Sequence, residues 1–249
     1  MIALITGATA GIGKASAELF AKNGYDLIIT GRREDRLNQL KQTIEKLNRK
    51  VITLCFDVRD ANQVKKAISS IPQEMQEIDV LINNAGLAAG FSTIQDGNID
   101  DWNKMIDTNV KGLLYITKEI APLMIKRKKG HIINLGSVAG KEVYANGNVY
   151  CASKHAVDAL NRSMRIDLLA HNIKVTSINP GMVETEFSVV RFNGDEARAK
   201  KVYEGIKPLS AEDIAETIYW TASRPAHVNI NELIIMPTAQ ANATTAIRN

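Results

Sequence analysis

Cysteine, tryptophan and histidine are scarce in this chain of 249 residues: two Cys, two Trp and four His. Cys55 falls in an apolar, strand-like run and Cys151 follows a tyrosine, so neither a disulfide framework nor zinc-ligand spacing can be drawn, and no metal site is expected. No apolar run approaches the roughly 18 residues that a membrane-crossing helix needs. No leader is read ahead of Ile2, where the fold is expected to begin. Charge of one sign is scarce too: 31 Lys and Arg against 27 Asp and Glu give +4. The only basic run, Lys126 to Lys129, closes an amphipathic helix, where the helix dipole favours cations. No aromatics interleave it, so nucleic acid is not an expected partner. Linkers, repeats and low-complexity segments are missing as well. The expectation is one cytoplasmic, reduced domain over residues 1–249, with no membrane partner.

Strand and helix patterns alternate throughout. Short apolar runs of the kind buried on both faces of a parallel sheet occur at 2–6, 25–30, 51–56, 79–82, 131–135, 173–178 and 231–236. Helical patterns lie between them, at 36–48, 61–70, 99–128 with a break expected near Pro122, 149–170 and 211–223, the last opened by Ser210 as N-cap. A polar flap with some helix is read over 184–205, and the tail after Thr238 reads as poorly packed unless a partner subunit holds it. This alternation implies an α/β fold with one parallel sheet and right-handed crossovers.

The first strand runs into Gly7-Ala8-Thr9-Ala10-Gly11-Ile12-Gly13 and then a helix. Strand, glycine loop, helix is the context of a dinucleotide site: glycine lets the main chain approach a pyrophosphate, and the helix N-terminus offers free N–H groups. After the second strand stand Arg32 and Arg33, with no carboxylate before Glu34. Arginine there accommodates a 2′-phosphate, so NADP(H) is favoured over NAD(H). Asp57 and Val58 end the third strand, where an adenine amino group could be met. Asn84, Ala85 and Gly86 end the fourth, in position to pack the cofactor loop.

The chain is organised around Ser137 to Lys154. On a helix, Tyr150 and Lys154 are four apart and share a face. An ammonium beside a phenol stabilises the phenolate, so the Tyr150 pKa is expected to fall toward neutrality and serve proton transfer. Asn109, a poor helix former inside a helical pattern, is expected to have a partner.

Taken in order, Thr6-Gly7-x-x-x-Gly11-x-Gly13, Asn83-Asn84-Ala85-Gly86, Asn109, Ser137, Tyr150-x-x-x-Lys154 and Pro180-Gly181 resemble the short-chain dehydrogenase/reductase family over the whole chain. The resemblance implies a seven-stranded Rossmann sheet with helices on both faces, assembled as a homotetramer or homodimer. It implies Tyr150 as general acid and base, with Lys154 lowering its pKa and holding the nicotinamide ribose. Ser137 would hold the substrate oxygen, and Asn109 a relay water. The segment Pro180 to Ser188, opening with Gly181 after the proline, would cover the nicotinamide, with Val183 and Thr185 near its carboxamide. Three further stretches, Gly31 to Leu37, Glu186 to Asp195 and Pro225 to Thr238, are similar to the NADP-dependent 3-hydroxy acid dehydrogenases, which act on serine, L-allo-threonine and related short acids. Such a small-molecule substrate carries a carboxylate. Arg191 is the first candidate to bind it and Lys141 the second. A reductase of another carbonyl class (sugar, diketone or xenobiotic) is the alternative.

Overall fold

The computed structural model describes residues 1–249. All seven strands form one parallel sheet in the order β3-β2-β1-β4-β5-β6-β7. They are β1 (Ile2–Ile5), β2 (Asp26–Gly31), β3 (Val51–Cys55), β4 (Ile78–Asn83), β5 (Gly130–Leu135), β6 (Ile173–Pro180) and β7 (Glu232–Ile235). Between them come α1 (Gly11–Lys22), α2 (Glu34–Glu45), α3 (Ala61–Ser69), α4 (Ile99–Ile106), α5 (Leu113–Arg127), α6 (Asn148–Asp167), α7 (Glu186–Arg191), α8 (Glu196–Lys201) and α9 (Ala211–Ala222).

Alternation along each strand serves two cores. In β1, Ile2 and Leu4 join a cluster with Ile116, Ile120 and Met124 of α5, while Ala3 and Ile5 join one with Phe20 of α1 and Ile214 and Ile218 of α9. Successive side chains of a strand point to opposite faces, and both faces here are covered. That is why the strands read as unbroken apolar runs. Strand order reverses between β1 and β4; β2 and β4 both pair parallel with β1, the hinge of the two halves. The crevice outside the carboxyl ends of strands at such a reversal is where α/β sheets bind ligands.

Two expectations are corrected here. Pro122 does not break its helix, because α5 runs through it to Arg127. Pro122 and Lys118, whose carbonyl loses its partner, both face solvent, so water can take the vacant acceptor. The irregularity lies instead at Asp107–Gly112, a π-helical turn joining α4 to α5. Nor is the tail loose. Gln240 is buried and its Oε1 accepts the Met182 N–H at 2.8 Å, while the Asn249 N–H donates to the Gly205 carbonyl at 3.0 Å. Cys55 is exposed because β3 is an edge strand.

Candidate active site

A cavity of about 760 Å³ opens along the carboxyl ends of the strands, from Arg33 at one end to Tyr150 and Arg191 at the other. Its first wall is main chain. Gly7 and Gly11 have φ of +68° and +49°, a region that glycine enters without steric cost. Gly13 has no room for a side chain, since a Cβ there would lie 2.4 Å from both the Gly7 carbonyl and Asn84 Nδ2. Asn84 Nδ2 donates to the Thr6 carbonyl at 2.9 Å and the Gly7 carbonyl at 3.2 Å, bracing the loop from β4. Ala10 precedes α1 with no side-chain cap, so the first N–H groups of that 12-residue helix are left for a ligand. The cradle, its uncapped helix and the arginines beside it fit a dinucleotide.

Of the residues expected to bind cofactor, Gly7, Thr9, Ala10, Gly11, Ile12, Arg32, Arg33, Asp57, Val58, Asn84, Ala85, Gly86, Tyr150, Lys154, Pro180, Gly181, Val183 and Thr185 line the cavity. Ala8 and Gly13 do not, the one buried and the other packed behind the loop. Arg33 donates twice to Thr9 Oγ1, at 3.2 and 2.9 Å, and reaches Glu186 at 2.9 Å. Arg32 is the more exposed and lies 3.8 Å from Asp57. The Asp57 carboxylate is engaged chiefly by Arg59, at 2.6 Å. Burial opposes its ionisation, but hydrogen bonds and charge from Arg59, with Arg32, hold its pKa below the usual carboxylate value.

The far wall is side chain. Lys154 and Tyr150 sit one turn apart on α6, both buried. Lys154 Nζ donates to the Leu135 carbonyl at the end of β5, at 2.8 Å. Burial pulls its pKa down to about 8. Here the expected lowering of Tyr150 by Lys154 is not found. Burial raises the phenol's pKa, Tyr144 adds to the rise, and the Ser137 hydroxyl and Arg191 only partly oppose it. A phenol enclosed among Ala88, Met105, Ala139 and Cys151 loses more by desolvation than these neighbours return. Ser137 opens a tight turn after β5, its Oγ accepting the Ala139 N–H at 3.1 Å.

Asn109 stands off the cavity, in the π-helical turn. Its Oδ1 accepts the Leu87 N–H at 2.8 Å, and its Nδ2 donates to the Leu87 carbonyl at 2.8 Å and to Ser153 Oγ at 3.0 Å. The Ser153 hydroxyl in turn donates to the Tyr150 carbonyl at 2.7 Å. The side chain is therefore fully engaged. The Leu113 N–H donates to the Val110 carbonyl at the end of that turn.

The two substrate-cation candidates separate cleanly. Lys141 is held by Asp158 at 2.6 Å and by Glu232. Burial works against its charge, yet those two hydrogen-bonded carboxylates raise its pKa. It does not line the cavity, and it is removed as a carboxylate ligand. Arg191 pairs with no carboxylate. Its guanidinium carbon lies 4.7 Å from the Phe91 ring centre, 5.5 Å from that of Tyr144 and 5.7 Å from that of Tyr150. Its Nη1 donates to Tyr144 Oη at 3.1 Å. Sequence reasoning missed Phe91, and also Gln240, Ala243 and Arg248 of the tail; it singled out neither Tyr144 nor Phe187, which fall in stretches expected to border the substrate (Lys141 to Asn146) and cover the nicotinamide (Pro180 to Ser188), and all six line the cavity. Aromatics in loops carry no spacing signal; only the fold brings them together.

This geometry is that of an alcohol–carbonyl oxidoreductase of the Rossmann type, and the chain belongs to the short-chain dehydrogenase family, whose model matches residues 1–195. It is 46% identical over 248 residues to the NADP-dependent 3-hydroxy acid dehydrogenase YdfG of Salmonella typhimurium, covering 99% of each chain. It is also 46% identical over 247 residues to sulfoacetaldehyde reductase 2 of Chromohalobacter salexigens, covering 99% of this chain and 98% of that one. A solved structure of serine dehydrogenase, in a closed form complexed with NADP+, superposes over 100% of both chains with a TM-score of 0.93 and 44% identity.

Proposed function

We propose that the protein is an NADP(H)-dependent dehydrogenase that moves hydride between C3 of a short 3-hydroxy acid, of the serine, L-allo-threonine or 3-hydroxybutyrate type, and the nicotinamide. One observation carries the reading: an unpaired guanidinium, Arg191, stands against the Tyr150 ring at one end of a cavity whose other end is a glycine cradle flanked by Arg32 and Arg33. The likeness to enzymes named for NADP and 3-hydroxy acids supports it.

Bound NADP(H) supplies the hydride acceptor or donor; the remaining tasks fall to the chain. Tyr150 takes the proton of the C3 hydroxyl in oxidation and returns it in reduction. Ser137 hydrogen-bonds the same oxygen and stabilises charge that develops on it. Lys154, cationic below about pH 8, holds the nicotinamide ribose and favours the Tyr150 phenolate once the site fills. Asn109 holds a relay water through its main-chain carbonyl, while its side chain fixes the turn that carries Tyr150. Arg191 takes the substrate carboxylate, with Tyr144 orienting it. Arg32 and Arg33 take the 2′-phosphate. The assembly is a homodimer or homotetramer, supported by exposed Ile166, Leu169, Trp220 and Ile234. It works in the cytoplasm, where the free Cys55 and Cys151 stay reduced.

The likeness to a sulfoacetaldehyde reductase favours a second reading in the same site, a short sulfonated aldehyde held by the same arginine. The test is NADP+-linked oxidation of L-serine, L-allo-threonine and 3-hydroxybutyrate beside their methyl esters, with NADPH-linked reduction of sulfoacetaldehyde run in parallel. Turnover of the acids and not the esters is expected. Reduction of the sulfonate alone would select the second reading, and turnover indifferent to the anion would overturn both.

A further inference from the structure

The lips of the cavity are joined by a pair of ion pairs. Glu186, the first residue of α7, accepts from Arg33 Nη1 at 2.9 Å and from Arg36 Nη1 at 2.6 Å. Arg33 is itself anchored on Thr9 of the glycine loop. The neighbouring Thr185 lies so close over Gly11 that a Cβ there would sit 3.2 Å from it. One lip is thus the glycine loop and the start of α2, and the other is the segment after β6. Glu186 bridges them across the mouth.

We infer that Glu186 and Arg36 form an ionic strap that closes over the bound dinucleotide and slows its release, acting as positioning residues for the cofactor. The inference rests on the reading that a dinucleotide fills this cavity. Three features carry it. The strap crosses the mouth and not the interior, since Arg36 stands outside the cavity wall while Glu186 and Arg33 line it. It connects segments about 150 residues apart, so it restrains the opening of the lips and stabilises neither helix locally. It also reaches the substrate end, because six-residue α7 carries Glu186 at its start, Arg191 at its end and Phe187 against the Tyr150 ring, with ring centres 5.7 Å apart. A strap of this kind holds any dinucleotide alike. A carboxylate that merely competed for Arg33 would act only against a 2′-phosphate.

That contrast sets the experiment. Release of NADPH and of NADH from the intact protein is followed by stopped-flow nicotinamide fluorescence, with excess oxidised cofactor as trap, for wild type, Glu186→Gln, Arg36→Gln and Arg36→Lys. Each exposed ion pair contributes modestly. Glu186→Gln and Arg36→Gln are therefore expected to speed release of both cofactors alike, roughly two- to fivefold. Association rates should be unchanged, and Arg36→Lys should restore part of the retention. In wild type, release should also quicken with salt as the exposed pairs are screened. Unchanged release in both Gln variants would overturn the strap and leave the cofactor reading intact. Slower release of NADPH alone in Glu186→Gln would replace the strap by simple competition for Arg33. Failure of wild type to bind either dinucleotide would overturn the cofactor reading and the strap together.

Discussion

At its Arg33 end the cavity is walled by main chain, and at its Tyr150 end by buried side chains. The first end works by what is missing. Gly7, Gly11 and Gly13 let a loop fold tightly and leave N–H groups uncovered. The second works by what desolvation does to groups enclosed there. Lys154 is pulled down to about 8 and the Tyr150 phenol is raised. Damage should follow suit, steric at one end and electrostatic at the other.

The sharpest break comes from Tyr150→Phe. It removes one oxygen and no packing, so kcat/KM should fall at least about a thousandfold, the upper range for a lost general acid or base. NADPH affinity, read by fluorescence titration, should stay within about twofold. Next is Gly13→Ala, whose methyl would meet the Gly7 carbonyl at 2.4 Å. NADP+ affinity by calorimetry should drop on the order of a hundredfold, because the cradle must shift to admit the methyl. Survival of full affinity would show that the loop is not held as described. Arg191→Gln should raise KM for the acid substrates roughly ten- to a hundredfold, the range for one charge-assisted hydrogen bond, and leave their esters unaffected.

A smaller and opposite pair of effects compares two lysines. The folded-state pKa of Lys154, about 8, lies below its ordinary 10.5, so the folded protein loses that proton first as pH rises. Keeping the buried ammonium costs stability below pH 8, and that cost fades between pH 8 and 10.5. Lys154→Met should therefore be more stable than wild type at pH 7, by about 1–3 kcal/mol, with the gap closing by pH 10. Lys141, raised by Asp158 and Glu232, should behave oppositely. Lys141→Met should lower stability at pH 7 by roughly 1 kcal/mol or less, since Glu232 is well exposed and screens the loss. Urea titrations at both pH values check the two signs.

Much of the cofactor end was legible because its signals are local. A glycine loop between an apolar strand and a helix is a contiguous pattern, and so are two arginines after a strand. Tyr150 and Lys154 needed only a helical period to share a face. The aromatic enclosure was not legible: Phe91, Tyr144 and Phe187 come from three loops or short helices and meet only through the sheet. Pro122 misled because its cost depends on whether the freed carbonyl faces water, which is a matter of burial. The tail misled because its anchor, Gln240 against Gly181 and Met182, is a contact between distant segments.

By itself, then, the sequence determined the parallel sheet, the position of the glycine cradle and the tyrosine–lysine pair on one helix face. Strand and helix periods, glycine's backbone freedom and i, i+4 spacing all act between near neighbours along the chain. Only the tertiary structure decided which charges remain available. Arg191 and Lys141 are the first and second candidates in sequence; folding set Lys141 between Asp158 and Glu232 and left Arg191 among aromatic rings. Whether a cation is neutralised depends on carboxylates brought in from elsewhere, here from α6 and β7, and chain order alone does not carry that information.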